Sequence, residues 1–131
     1  MNTVPEYREL TDLQKLNEMK QELEAGFSTV LRHYQAGILH RPERIRQALE
    51  EQDAERVAME SHSLKSVCRQ VGLMPMGELA AQLETMGASG CLDQAEPLIE
   101  QLIASSVQGN HELNHFCNGT TLPRPFFEKG D

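Results

Sequence analysis

Glu60-Ser61-His62-Ser63-Leu64-Lys65-Ser66-Val67-Cys68-Arg69-Gln70-Val71-Gly72 is the stretch on which both the fold and the chemistry turn. Wound as a helix at about 100° per residue, it puts Val57, Ser61, Leu64, Cys68 and Val71 in one narrow stripe, the face a helix buries. His62 points roughly the other way, about 160° from Leu64. Lys65, Ser66 and Arg69 share that outer face with it, and Ala58 and Met59 lie behind it one turn earlier. A histidine in water, among small neighbours and two cations, is open to a partner and is not a core residue.

Asp53 is a good N-cap for this helix, and Gly72 ends it as a residue that tolerates positive φ should. Pro75 then opens a second helix with Leu79, Ala80, Leu83 and Met86 on one face, ending near Gly87 or Gly90. His62 lies about 15 Å before Gly72, at 1.5 Å per residue. Glu84 lies a similar distance beyond Pro75, so an antiparallel return brings it to the level of His62. At the edge of the apolar face, its carboxylate is placed to accept a hydrogen bond from one imidazole nitrogen. That bond would fix the tautomer and leave the other nitrogen as the nucleophile.

Further out, Thr11-Asp12-Leu13-Gln14 reads as a capping box with Thr11 at the N-cap. Leu13, Leu16, Lys20, Leu23, Phe27, Val30, Leu31, Tyr34 and Ile38 then step at three and four, as one helix or as two parted at Gly26. Pro42 predicts a break near His40-Arg41 and a renewed helix through Ile45, Ala48 and Leu49. Downstream, Asp93 to Glu96 reads as a cap, with Pro97 in or near the first turn. Leu98, Ile99, Leu102, Ile103, Val107, Leu113 and Phe116 keep the helical period, and Gly109 is a point where the end would fray or break. No stretch alternates with period two. The expectation is an all-α chain: residues 1–10 an arm, 11–117 an antiparallel four-helix bundle with an additional N-terminal helical segment, and 118–131 a disordered tail.

With 131 residues the chain suits one domain. A formal charge of −8 argues against nucleic acid as the partner, since neutralising phosphates takes clustered Lys and Arg. There is no apolar run long enough for a transmembrane helix and no signal-peptide pattern, so a cytoplasmic monomer is expected. Three cysteines without a CxxC read as reduced thiols. His33, His40, His111 and His115 form no ligand-like group with them, and no metal site is assigned. Met59, Met74, Met76 and Met86 read as packing or docking residues.

The run His62-Ser63-Leu64-Lys65, with Gly72 ten residues after the histidine, resembles the phosphorylation motif of histidine-containing phosphotransfer (HPt) domains. Leu79, Leu83 and Glu84 match the family's following helix, and Ile45 to Arg56 is similar to its lead-in turn. The resemblance spans roughly residues 10 to 116. Ser66 stands where the family often has glycine, and is still small. The resemblance implies that His62 is a phosphoacceptor and that Glu84 bonds its ring. Phosphoryl transfer then needs positive charge near the moving oxygens. Lys65 is placed to supply it, with Arg69 more distant, while Ser66 leaves room for the group. No nucleotide loop and no Asp cluster for magnesium is present, so the chain would carry phosphate without generating it, with the metal on a partner receiver domain. The expected partners are receiver domains of response regulators or hybrid sensor kinases. They would dock on a patch that includes Ala58 and Met59. A helical adaptor that binds the same partners without being phosphorylated is the alternative, although it would not need His62 and Lys65.

Overall fold

Amphipathic spacing at three and four is realised as five α-helices in the computed structural model, which describes residues 12–117. They are α1 (Leu13–Leu23), α2 (Phe27–Glu50), α3 (Ala54–Val71), α4 (Met74–Ser89) and α5 (Ala95–Cys117), with no strand among the described residues. Helices α2 to α5 form an antiparallel four-helix bundle. Arg41 of α2 meets Glu60 of α3, Gly87 of α4 lies on Ala58 of α3, and Phe27 of α2 packs on Phe116 of α5. Helix α1 is the additional N-terminal segment, joined to α2 through a 3-10 turn at Glu24–Gly26, so the stripe that starts at Leu13 is two helices. The predicted arm at 1–10 and tail at 118–131 lie outside the described residues.

The core is aliphatic and continuous. Leu16, Leu31, Ile38, Ile45, Val57, Leu64, Val71, Leu73, Met76, Leu83, Ile99, Leu102 and Leu113 are essentially inaccessible to water. At about 25 cal/mol per Å², removing such side chains from water is the main stabilising term. Asp53 caps α3 as expected, its side chain accepting from the Arg56 N–H at 3.1 Å. The cap of α1 sits one residue later than predicted: Asp12 accepts from the N–H groups of Gln14 and Lys15. Its single carboxylate reaches two of the orphan donors of the first turn.

Two breaks read from Pro42 and Gly109 do not occur. Helix α2 runs unbroken through Pro42, which is itself buried. The hydrogen bond that proline deletes is offset by Ile38, Ile45 and Ala48, which lie on both sides of it in the core. Helix α5 likewise continues through Gly109. A Cβ there would come within 3.1 Å of the Leu73 methyls, so this glycine makes room for a core leucine.

At the α3–α4 corner Gly72 adopts φ 82°, where a side chain is strained, and its N–H bonds back to the Cys68 carbonyl. The Gly72 carbonyl accepts from the Asp12 N–H at 2.8 Å, which fastens the start of α1 to the corner. A Cβ at Gly72 would also stand 2.9 Å from the Asp12 Cβ.

Candidate functional site

Helices α3 and α4 approach closely because small residues face each other. Gly77 lies against Cys68, and a Cβ on Gly87 would fall 2.6 Å from the Ala58 nitrogen and 2.7 Å from the Ala54 carbonyl oxygen. Between these two contacts, Glu84 is held opposite His62. The His62 Nδ1 is 2.9 Å from Glu84 Oε2, and the Lys65 Nζ is 2.6 Å from Glu84 Oε1. One carboxylate therefore bridges the histidine and the lysine, using one oxygen for each.

The Lys65 ammonium on its other oxygen holds the Glu84 carboxyl below the usual carboxylate range. Partial burial works against this, and the His62 bond adds to it. Glu84 is thus an ionised acceptor with no proton to give, so the hydrogen of the 2.9 Å contact belongs to Nδ1. In the neutral ring Nε2 is then the bare nitrogen. The His62 side chain is 62 % exposed, so a partner can reach it. Lys65 differs from the outer-face expectation. Its side chain is only 20 % exposed, because it turns toward α4 to meet Glu84. Ser66 and Arg69 lie exposed on the outer surface of α3, as the spacing predicts.

His62, Ser63, Glu84, Ala58, Met59 and Glu60 line a shallow depression of about 430 Å³. Met59 is 62 % exposed, so no other helix among the described residues covers it, whereas Ala58 is half-buried against Gly87. Glu60 on the rim is paired with Arg41 of α2 at 2.9 Å. Sequence reasoning missed two contributors: Arg41, and Gly87, which was read only as a helix end. The signal for Gly87 was present in the spacing, since Gly87 follows Glu84 by three and shares its helix flank. Cys68, one turn beyond Leu64, is buried in the core, and burial pushes its thiol up to about 12. It stays neutral and inert.

The site therefore sits on a two-helix platform whose sequence matches a known profile, the Hpt domain, over residues 29–113. The chain belongs to the Hpt domain family. The matched stretch contains His62, Lys65, Glu84 and two of the five helices whole, α3 and α4, together with most of α2 and α5 short of its last turn. The fold is also that of the histidine-containing phosphotransfer protein B (HptB) from Pseudomonas aeruginosa PAO1, with a TM-score of 0.79 at 20 % sequence identity. The match covers 85 % of this chain and 96 % of HptB. Comparison with curated proteins found no significant match. Membership makes this a phosphotransfer protein of phosphorelays, a family of phosphate carriers that interact with receiver domains. No helix among the described residues is long and apolar enough to cross a membrane.

Proposed function

We propose that His62 takes a phosphoryl group from the aspartyl phosphate of one receiver domain and passes it to the aspartate of another. The observation that carries the reading is the 2.9 Å contact between Nδ1 and an ionised Glu84, which leaves Nε2 bare on a well-exposed ring. Lys65, one turn along, is the cation nearest to where the phosphoryl oxygens would sit, and Arg69 is a second, more distant one. Exposed Ser66 leaves that space open. Gly72 serves the structure only, as the corner that sets the pitch between α3 and α4. The magnesium that a receiver's aspartate chemistry uses is expected on the receiver, with none on this chain. Met59 and the accessible part of Ala58 supply the apolar patch against which a receiver would dock.

Incubation with a phosphorylated receiver tests the reading. The label is expected to be acid-labile, alkali-stable and lodged on His62, and His62→Gln should take none. Label on an aspartate, or on His33 or His111, would sink it. Met59→Glu should weaken receiver binding roughly tenfold, about 1.4 kcal/mol, while the bundle stays folded. Unchanged affinity would move the docking surface elsewhere.

A further inference from the structure

The His62 ring has two opposed tasks in such a cycle. It must be a nucleophile when the phosphoryl group arrives and a leaving group when it departs. We propose that the negative charge of Glu84, beyond the hydrogen bond it accepts, keeps the proton on Nδ1 through both steps and so keeps the phosphohistidine labile. The proposal rests on His62 being the phosphoacceptor.

The balance of atoms shows why the charge matters. On arrival, the Nε2 lone pair forms the N–P bond, the P–O bond to the donor breaks, and the donor leaves as a free carboxylate. The ring then carries a positive charge, with Nδ1–H still in place and pointing at Glu84 Oε2. On departure, the N–P bond breaks, its electron pair returns to Nε2, and an oxygen of the acceptor carboxylate takes the phosphorus. The ring leaves as neutral imidazole, and no proton moves in either direction. If Nδ1 lost its proton in between, the ring would have to depart as an imidazolate anion, a far poorer leaving group. An amide in place of Glu84 still accepts the bond and still orients the ring. Only a carboxylate stabilises the cationic ring by charge.

The surroundings leave this task to Glu84 alone among the described residues. On α3, Lys65 faces the same carboxylate through its other oxygen, 2.6 Å away, and keeps Glu84 from taking up the ring proton itself. Glu60 lines the same depression, but its charge is matched by Arg41 of α2 at 2.9 Å. Arg69 lies exposed on α3, two turns beyond His62. Glu84 is the one carboxylate bonded to Nδ1.

The test is to load the full chain with phosphoramidate, a small phosphodonor that needs no partner protein. Loss of phosphohistidine to water is then followed by ³¹P NMR from mildly acid to alkaline pH, in wild type and Glu84→Gln. Both should share the same fast limb in acid. The alkaline fall-off of Glu84→Gln should lie about one pH unit lower, the small end of what a neighbouring charge does, given how exposed the ring is. On the alkaline limb that is about a tenfold slower loss. A Glu84 that only positions the ring would leave the two profiles superimposed, and that result overturns the proposal while His62 remains the acceptor. Wild-type protein that takes no label on His62 would overturn the acceptor assignment, and this proposal with it.

Discussion

The α3–α4 pair and the α2–α5 pair solve the same packing problem with opposite materials. Across α3–α4 the contact is made by glycine and alanine, with backbones near touching at Gly87. Across α2–α5 it is made by long and aromatic side chains. The Gln35 Nε2 donates to the Asn110 and Asn114 side-chain oxygens at 2.9 Å each, and Phe27 meets the Phe116 ring edge-on at 5.8 Å. Long side chains tolerate small shifts by changing rotamer, while a backbone contact tolerates almost none. The chemistry sits on the pair that cannot shift. A two-oxygen bridge from Glu84 to both His62 and Lys65 demands that its helix be fixed in height and rotation to a few tenths of an ångström.

Gly87→Ala should break that difference most sharply. The new Cβ would meet backbone atoms, which cannot turn aside, so α3 and α4 must part, at a cost of about 1–3 kcal/mol in urea unfolding. Phosphotransfer should fall as well, since Glu84 lies one turn away on the same flank. A variant as stable and as active as wild type would mean that the two helices adjust freely. Lys65→Ala should separate activity from stability on the same pair. Transfer from a phosphorylated receiver should slow by about tenfold, or 1.4 kcal/mol in the barrier, with helicity unchanged by circular dichroism. Unchanged rates would make Lys65 a bystander.

Gln35→Ala probes the other pair. Two neutral hydrogen bonds are lost, but Asn110 and Asn114 can turn to water, so about 1 kcal/mol of stability should go with transfer rates unaltered. A slower variant would show that the α2–α5 contact also tunes the site. The smallest effect is expected from acid. Because the folded Glu84 carboxyl is held below its ordinary 4.5, its contribution is fully present above that pH and disappears as pH falls through the lower folded value. The part-exposed bridges contribute only a fraction of a kcal/mol. The small gap in urea midpoint between wild type and Glu84→Gln at neutral pH should therefore close in acid. A gap that widened in acid would contradict the direction of the shift.

Most of this was legible because helical period and caps are local signals. The buried stripe from Val57 to Val71, the Asp53 cap, the Gly72 stop and the level of Glu84 against His62 all follow from spacing along two helices and one turn. The misread positions are those where a distant residue decides. Pro42 and Gly109 look like breaks until Ile38, Ile45 and Leu73 are packed around them, and Gly87 looks like a terminus until Ala58 lies on it. Gln35 lies outside the predicted apolar stripe and went unread, because its partners are more than seventy positions away. Lys65 reads as free on α3 alone, since only α4 supplies the carboxylate that turns it.

The bond between the Asp12 N–H and the Gly72 carbonyl also bears on the order in which the chain assembles. That carbonyl takes its orientation from a left-handed turn, which exists only after α3 has ended and α4 has begun to fold back. Helix α1 is therefore first in sequence, yet its backbone tie to the corner cannot form until that corner has closed. The α3–α4 hairpin is built from near neighbours in the chain, so it closes at little loop entropy and is suited to nucleate. Helix α1 then docks late and, by the same logic, opens early. Native-state hydrogen exchange should show its amides released below the free energy of global unfolding, while those of α3 exchange only with the whole molecule.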